Sequence, residues 1–378
     1  MAKRLVFSRA EFERRAAAVR AEMAARGADV LLLDEQESLA WVTGYDVTEN
    51  LYRCCVLPHR GEPVMVLRRL DEMPMRDRSW VERADAFVDW DGPIDRLVRT
   101  LQENGWADKA IAVDMNSYCM PAGRFRAIQA PLPKARFVDF AGVIAELRLI
   151  KSSEEIAILR RAGSICDQAV LDTVAAIRRG GTDRDASAAA AASFVRQGAE
   201  SFRIGRISTS TGWGFLHADL SDRTLGEGDV VHLELCPRVT GYTARIMRPV
   251  VVGAPTVEQQ RTAKILIEAQ DAQIAAMRPG ALAADVDRLM RAPVLAAGLR
   301  ERYDNITGYT VGLYGSATPR TSDFTRTFHP EAKWRLEPGM VMHVYTSAGG
   351  IAFSETVLVA ASGPERLTRL ERKIFTVA

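Results

Sequence analysis

At 378 residues the chain exceeds the roughly 250–300 residues at which single hydrophobic cores stop growing, so we expect one large and one smaller domain. Its 50 basic and 48 acidic residues leave a net charge of +2 with no basic block, which argues against nucleic acid or an anionic membrane as a partner. No apolar run reaches the roughly 18 residues of a membrane span, and the start has no signal-peptide pattern, so we expect a cytoplasmic protein that binds a small molecule.

The first half of the chain alternates helical and strand patterns. Ser8 and Glu11 have the spacing of a capping box and open an amphipathic helix that ends at Gly27. Short apolar runs after this helix predict strands at residues 30–33, 40–45, 54–57, 64–67 and 111–113. This alternation indicates an α/β domain, which we assign to residues 1–146.

The second half, residues 147–378, has fewer but longer elements. Ser152 and Glu155 form a second capping-box pattern ahead of a long amphipathic helix, and further helices are expected to begin at Thr182 and Thr256. Strands are predicted at residues 230–235, 242–252 and 340–345. Helices packed on a strand-rich sheet indicate an α+β domain.

Five local patterns follow one another along this second half, and a sixth lies in the first. They are Leu147-x-x-Ile150-Lys151-Ser152, Leu216-His217, Gly228-Asp229-Val230-Val231, Gly308-Tyr309-Thr310-Val311-Gly312 and Leu336-Glu337-Pro338-Gly339-Met340, with Trp41-x-x-Gly44-Tyr45 in the first half. In this order they resemble the pita-bread family of methionine aminopeptidase, aminopeptidase P, prolidase and creatinase. The resemblance implies a creatinase-type N-terminal domain and a pita-bread C-terminal domain.

The metal-dependent members of this family hold two metal ions with two aspartates, one histidine and two glutamates. The resemblance aligns these five ligands with Glu234, Arg245, Tyr309, Tyr345 and Ser354. One carboxylate and one arginine cannot hold two divalent ions, so we expect neither a metal nor another cofactor. Instead, we expect Arg245 to pair with Glu234 in a buried ion pair that substitutes for the metal and its ligands.

A different, single-metal site is an open alternative. His232 and Glu234 are two residues apart on one predicted strand, and His343 and Tyr345 on another, so both pairs can face one cavity. Two histidines and a glutamate can bind one zinc or iron ion, although Arg245 in the same cavity opposes a cation. The other interpretation is that both histidines are buried and satisfied by hydrogen bonds.

Creatinase provides the family's precedent for hydrolysis without metal. Its catalytic histidine aligns with His217, which we expect to act as general acid and base, because imidazole titrates near neutral pH. Arg320, and Arg53 with Tyr52, match creatinase-like substrate contacts and predict a clamp for a small carboxylate-bearing molecule. The resemblance further implies a homodimer in which the N-terminal loop with Arg53 reaches the partner's pocket. Solvated surface arginines are the alternative.

The departures from creatinase also have consequences for the substrate. Creatinase holds its substrate's guanidinium with glutamates that align here with Met247 and Tyr345, so creatine is a poor candidate. Tyr309, Tyr345 and Tyr242, with Trp213, are expected to line the pocket with rings and hydroxyls. Such a lining suits a neutral or ring-bearing amide, or a cation held against aromatic faces. Core aromatic residues are the alternative interpretation.

Two functions from different classes follow. The first is a metal-independent, creatinase-like hydrolase that cleaves a C–N bond in a small carboxylate-bearing compound. The second is a non-catalytic pita-bread pseudoenzyme that binds a small molecule, a peptide or a protein; it is favoured by the absence of a clear carboxylate to orient His217. A metal-dependent Xaa-Pro peptidase is a third possibility, which the substituted ligand positions oppose.

Overall fold

A computed structural model describes residues 3–45, 51–200, 204–210, 216–315 and 324–378. The chain divides into two compact units. Unit 1 consists of Met1–Arg148 with Gly315–Thr321, and unit 2 of Leu149–Tyr314 with Ser322–Ala378. None of the helices that the structure describes is long and apolar enough to cross a bilayer.

Unit 1 contains a mixed sheet with helices. Its elements are α1 (Arg9–Ala25), β1 (Val30–Leu33), α2 (Gln36–Thr43), β2 (Cys54–Pro58), β3 (Val64–Arg68), α3 (Glu72–Arg78), β4 (Arg83–Phe87), α4 (Pro93–Glu103), β5 (Ala110–Val113), α5 (Ala122–Gln129), β6 (Arg136–Asp139) and α6 (Val143–Leu147). The strand order is β4-β3-β2-β1-β5-β6, with β1, β5 and β6 parallel and β2 antiparallel to its neighbours. This is the α/β arrangement expected from the alternating patterns.

One predicted strand of unit 1 is wrong. Residues 40–45 were expected to be extended, but most of them belong to α2, which ends where Gly44 adopts a left-handed φ of 81°. A Cβ at Gly44 would lie 2.8 Å from the carbonyl oxygen of Arg78, so both the backbone angle and the space require glycine. Short apolar runs have no clear period, which is why helix and strand could not be distinguished here.

Unit 2 packs helices against a long, mostly antiparallel sheet. Its elements are α7 (Ser153–Ala176), α8 (Asp183–Arg196), β7 (Gly205–Ser210), β8 (Val230–Leu235), β9 (Arg238–Val239), β10 (Tyr242–Thr243), β11 (Ile246–Val252), α9 (Val257–Ala276), α10 (Ala283–Ala296), β12 (Gly308–Thr310), β13 (Thr327–Phe328), β14 (Val341–Ala348), β15 (Ile351–Ala360), β16 (Gly363–Arg366) and β17 (Phe375–Val377). The main strand order is β13-β12-β14-β15-β11-β8-β7.

Helix starts in unit 2 follow the local sequence closely. Ser152, Thr182 and Thr256 are the N-caps of α7, α8 and α9, and each takes part in a complete capping box. The predicted strand 242–252 is instead two strands: β10 pairs with β9 in a small hairpin, while β11 enters the large sheet. The break between them contains Ala244 and Arg245.

The two faces of the large sheet have different chemistry. Apolar side chains from alternate strand positions, such as Leu233 and Ile246, pack into hydrophobic clusters together with residues of α7 and α8. Met342 and Val344 pack in the same way with residues of α9 and α10. The intervening positions carry buried polar and aromatic side chains, so the second face of the sheet holds the candidate site.

Candidate functional site

A row of paired residues crosses four strands of the large sheet. Glu234 on β8 is opposite Met247 on β11, Met247 is opposite Ser354 on β15, and Ser354 is opposite Tyr345 on β14. Directly paired residues project from the same face of a sheet. The strand register therefore places three of the five aligned ligand positions, Glu234, Ser354 and Tyr345, on one face.

A second row of paired residues lies two residues further along β14 and β15 and extends to β12. Tyr309 on β12 is opposite His343 on β14, and His343 is opposite Thr356 on β15. The Thr356 hydroxyl accepts from the amide of Arg245 at 2.7 Å and donates to its carbonyl at 2.9 Å. Arg245 and Tyr309, the two remaining aligned positions, therefore lie on the same polar face, which we call the cavity face.

The expected ion pair between Arg245 and Glu234 is not formed, so that prediction is wrong. The Arg245 guanidinium donates a hydrogen bond from Nη1 to the hydroxyl of Tyr309, and its Cζ lies 5.3 Å from the centre of the Tyr309 ring. Only 1% of Arg245 is exposed. Its backbone is fixed beside Thr356, and its guanidinium contacts the Tyr309 phenol instead of the Glu234 carboxylate.

Aromatic rings surround this contact. The Tyr309 ring stacks on Phe324 with centroids 4.6 Å apart and meets the edge of His343 at 5.1 Å. His343 in turn stacks on Tyr345 at 5.5 Å, with an angle of 15° between the rings. Tyr314 completes the group, because its ring centre lies 5.9 Å from Cζ of Arg245. Tyr309 and Tyr345, two of the tyrosines expected to line the pocket, thus lie together on this face, with ring centres 5.9 Å apart.

The two buried histidines are held in the neutral form. Burial lowers the pKa of His232 to about 3, and the nearby His217 adds to this shift. Burial, assisted by the charge of Arg245, holds the pKa of His343 well below its ordinary value. Neither ring nitrogen of His343 has a hydrogen-bond partner within the described part of the chain.

The alternative single-metal site is not assembled. Within the described ranges, no group of three or more His, Cys, Asp or Glu side chains is arranged to hold a metal ion. His232 and Glu234 are on β8, whereas His343 is on β14, and β11 and β15 separate these strands. Arg245 lies near enough to His343 to disfavour its protonation, and the same charge would oppose a cation.

Tyr345 connects the two ends of the cavity face. Burial raises the pKa of Tyr345 to about 12, and Glu234 contributes to the rise, so the two groups lie within electrostatic range. The Tyr345 hydroxyl accepts a hydrogen bond from Nδ2 of Asn305 at 3.3 Å. Tyr345 therefore lies between Glu234 and the aromatic rings around Arg245.

His217, the predicted acid and base, lies on a short segment after residue 215. Its side chain is exposed, while the preceding Leu216 packs against a hydrophobic cluster of the sheet and helices. Its charge contributes to the lowered pKa of His232, so the two imidazoles are neighbours. The structure thus places His217 beside a residue of β8 that shares a strand face with Glu234.

Tyr242 does not line the cavity in the way expected of it. It is 1% exposed, and its hydroxyl donates to Oε1 of Glu155 at 2.7 Å. The other oxygen of Glu155 accepts from the backbone amide of Ser152 at 2.8 Å in the capping box of α7. Tyr242 therefore ties β10 to the start of α7, an interaction between elements that spacing along the chain does not reveal.

The proposed carboxylate clamp is only partly described. Arg320 and Trp213 lie outside the described residues. Arg53 and Tyr52 are each 6% exposed and belong to the interior of unit 1, not to an exposed loop. Arg53 donates to the carbonyl of Asp34 at 3.5 Å, and the ring of Tyr52 lies beneath the Arg124 guanidinium, 4.6 Å from its Cζ.

Several residues of the site were not singled out from the sequence. Thr356 anchors Arg245, Phe324 stacks on Tyr309, and Asn305 donates to Tyr345. Thr356 could have been found, because it lies two residues from Ser354 on one strand and must share its face. The other two come from loops, whose position relative to the sheet has no sequence period.

Two family models match the sequence of this chain. The model of metallopeptidase family M24 matches residues 157–361, and that of the creatinase/prolidase N-terminal domain matches residues 15–150. The chain belongs to metallopeptidase family M24. The expected membership of the creatinase, aminopeptidase P and prolidase group, with its two-domain fold, is confirmed.

Relatives of this M24 chain differ in what their names describe. It is 28% identical to the ectoine hydrolase of Halomonas elongata, over 98% of each chain. It is 32% identical to the Xaa-Pro dipeptidase of Pyrococcus furiosus, over 63% of this chain and 68% of that protein. The solved structure of the Xaa-Pro dipeptidase from Bacillus anthracis matches 97% of this chain and all of that one, with a TM-score of 0.82 and 20% identity, which shows the shared fold.

The metal pair that the family implies does not fit the residues present here. Divalent ions in such sites need several carboxylate or imidazole donors. The five aligned positions of this M24 chain offer one carboxylate, Glu234, and a guanidinium, Arg245, which repels a metal ion. The phenols of Tyr309 and Tyr345 and the hydroxyl of Ser354 complete the set, and the burial that raises the pKa of Tyr345 opposes its use as an anionic donor.

Proposed function

We propose that this M24 chain is a metal-independent hydrolase that cleaves a C–N bond in a small carboxylate-bearing compound. The observation that carries the proposal is the buried Arg245 guanidinium, which is bonded to Tyr309 on the same sheet face as Glu234 and Tyr345. A positive charge fixed to the chain there takes the place of the charge that metal ions supply in other members of the family.

The relatives support the class of reaction. Both the ectoine hydrolase and the Xaa-Pro dipeptidases are hydrolases of C–N bonds by name, and the similarity to ectoine hydrolase extends over the whole chain. Ectoine is a small ring compound with a carboxylate. We therefore propose a substrate of similar size that carries a carboxylate, and we propose that the enzyme works as a cytoplasmic homodimer.

His217 is the proposed acid and base. It is exposed, adjoins the buried His232, and can take a proton from water and return it to the leaving nitrogen. Arg320 is the proposed partner of the substrate carboxylate, because guanidinium binds carboxylates with two parallel hydrogen bonds. Arg53 is 6% exposed, and a role for it in the clamp requires that this exposed surface faces the ligand.

Hydrolysis assays of EDTA-treated protein test this proposal. N-acyl amino acids, lactam and ureido acids, guanidino acids and ectoine would be supplied in turn, and release of the product amine measured. We expect turnover that resists EDTA and that falls by at least about 100-fold in His217→Ala, the contribution typical of a general acid and base. His59→Ala in unit 1 is the matched control and should retain full activity. Equal activity of the two variants would remove His217 from the mechanism.

The carboxylate clamp has a separate test. Arg320→Ala should weaken binding of a carboxylate-bearing substrate or product by about tenfold or more, as expected for a charge-assisted contact. Arg302→Ala removes an exposed arginine of unit 2, whose ion pair with Asp304 spans 3.1 Å at the surface, and should leave affinity unchanged. If both variants bind equally well, Arg320 does not contact the carboxylate.

The non-catalytic binding module remains the second candidate. One observation favours it: within the described residues no carboxylate forms an ion pair with His217 to orient it. Binding of the same compounds measured by calorimetry, without turnover of any of them, would support the module. Turnover of Xaa-Pro dipeptides that depends on added manganese would instead support the metallopeptidase activity of the dipeptidase relatives.

A further inference from the structure

Glu234 is a nearly buried carboxylate that no other described residue neutralises. It is 7% exposed, and none of the hydrogen bonds or ion pairs among the described residues involves its carboxylate oxygens. Arg245, its expected partner, is bonded to Tyr309. Arg206, the residue opposite Glu234 on β7, is paired with Asp219 at 3.0 Å. Neither arginine is thus the counter-ion of Glu234.

A carboxylate in such a place is unfavourable for the fold unless something binds it. Removing a carboxylate from water costs free energy when neither a counter-ion nor several hydrogen bonds replace the water. Two other buried glutamates of the chain follow this rule, because Glu355 is paired with Arg248 and Glu37 with Arg148. Glu234 differs from both, which indicates that its partner comes from outside the chain.

Tyr345, at the other end of the same row, has the complementary deficiency. Its oxygen accepts from Nδ2 of Asn305 at 3.3 Å, so its own O–H can act as a donor, and no acceptor for that O–H is found within the described ranges. Tyr345 is half-buried, whereas the other members of the row are buried. Glu234 contributes to the raised pKa of Tyr345, so the two groups lie within electrostatic range. The row therefore offers a ligand one hydrogen-bond donor and one anionic acceptor.

Aromatic rings adjoin the same position. The Tyr345 ring stacks on His343 with centroids 5.5 Å apart, and its centre lies 5.9 Å from that of Tyr309. Burial holds the pKa of His343 well below its ordinary value, so this imidazole stays neutral and does not repel a cation. The faces of such rings are negative and attract positively charged groups. The surroundings of Tyr345 thus favour the same kind of ligand group as the Glu234 carboxylate does.

We propose that Glu234 is the counter-ion for a positively charged nitrogen group of the ligand, an ammonium or an amidinium, which binds beside Tyr345. This assignment rests on the proposed function for the carboxylate of the ligand, and it specifies the ligand's other end. The ligand is then a small zwitterion. Of the two ligand types that the tyrosines suggested, a neutral amide and a cation, the carboxylate selects the cation, because a neutral amide would leave the charge of Glu234 uncompensated.

Calorimetric binding to the full chain tests the assignment with two sets of small acids. The zwitterionic set contains ectoine, diamino acids and guanidino acids, and the neutral set contains lactam, ureido and N-acyl acids of similar length; KM replaces the dissociation constant for any compound that is turned over. The tightest zwitterion should bind at least about tenfold more tightly than the tightest compound of the neutral set, as expected for a charge-assisted contact. Glu234→Gln should weaken binding of that zwitterion by about tenfold or more and change the affinity for the neutral set by less than about threefold.

A second measurement needs no ligand. Glu234→Gln replaces the carboxylate by a neutral group of the same size and should leave the midpoint of thermal unfolding unchanged or raise it, because no partner within the chain is lost. Glu268→Gln, at an exposed glutamate of α9, is the matched control and should change neither the midpoint nor binding. A fall of more than about 3 °C in Glu234→Gln would reveal a structural partner for the carboxylate and would overturn the assignment.

The outcomes separate this assignment from the proposed hydrolase. Equal affinity of wild type and Glu234→Gln for the zwitterions, tighter binding of the neutral set, or no binding of any zwitterion would each overturn the assignment, while measured turnover of a neutral compound would leave the hydrolase standing. Binding of a zwitterion that depends on Glu234 but leads to no turnover would support the assignment and remove the hydrolase in favour of the binding module.

Discussion

The Arg248 guanidinium and the Glu355 carboxylate form an ion pair directly behind the candidate site. Nη2 of Arg248 lies 2.7 Å from Oε1 of Glu355, and both side chains are fully buried. Glu355 stands between Ser354 and Thr356, whose side chains belong to the cavity face, so it must project to the opposite face. The carboxylate next to the last ligand position is therefore committed to the core and is not a donor to the cavity.

Removal of Glu355 should destabilise the fold strongly. Glu355→Ala leaves Arg248 buried without its partner, and breaking such a pair costs about 3–5 kcal/mol. Urea denaturation would measure the loss. Glu258→Ala is the matched control, because its pair with Arg261 is exposed and should change the free energy of unfolding by no more than about 1 kcal/mol. Similar losses in both variants would contradict the burial described here.

His232 should make the protein less stable in acid. Its pKa is about 3 in the folded state and near 6.5 in the unfolded chain, so between these values the unfolded state binds one more proton. Stability is therefore lost as the pH falls from about 6.5 towards 3. In unfolding experiments, the free energy of unfolding of His232→Leu should fall less steeply over this window. The difference in slope should correspond to the uptake of one proton. His343 has a lowered pKa as well, so a residual slope should remain.

Asp34 in unit 1 should make the protein less stable as the pH rises, the opposite of the effect of His232. Burial raises the pKa of Asp34 to about 7, so the folded state keeps a proton that the unfolded chain releases near pH 4. Stability should fall as the pH rises from about 4 to 7. Asp34→Asn is neutral at all pH values and can still accept from the Ser117 hydroxyl, which lies 2.8 Å from Oδ1.

The Asp34 variant is best judged by its difference from wild type. The gain in stability of Asp34→Asn over the wild-type chain should grow by a few kcal/mol between pH 4 and pH 8. Asp77→Asn, at a half-buried residue that is paired with Arg4 and has a lowered pKa, should show no such gain. A constant difference across this pH range would mean that Asp34 is ionised in the folded protein.

Tyr242 and Tyr345 should respond differently to loss of their hydroxyls. Tyr242→Phe leaves the buried Glu155 without one hydrogen bond, which should cost about 1–3 kcal/mol of stability with kcat unchanged. Tyr345→Phe removes a hydroxyl on the cavity face and should change KM for the substrate. A fall in kcat for Tyr242→Phe, without a loss of stability, would show that Tyr242 acts in the site and not as a structural contact of α7.

Elemental analysis should find well below one metal ion per chain in the purified protein. The family resemblance aligns Arg245 with a metal-binding aspartate, and no alternative group of donors forms within the described residues. Addition of manganese, cobalt or zinc should also leave the unfolding midpoint unchanged, because ligands that bind only the folded state raise it. Two equivalents of tightly bound metal would contradict the assignment of Arg245.

Local sequence signals were reliable where the physics is local. The capping boxes at Ser152, Thr182 and Thr256 each satisfy donors within four residues, and all three helices begin there. The run 40–45 failed because a six-residue apolar segment has too little period to separate a helix from a strand. The ordered motifs identified the family, which in turn predicted both domain folds correctly.

The sequence by itself determined the family and the two kinds of domain, because these depend on residue identity and order. Only the tertiary structure decided that Arg245 meets Tyr309 instead of Glu234, and that Tyr242 and Arg53 belong to the interior. Which partner a long side chain reaches depends on the distance between strands that are not adjacent in the sheet. Chain order carries no measure of that distance, so the partners appear only when the sheet is assembled.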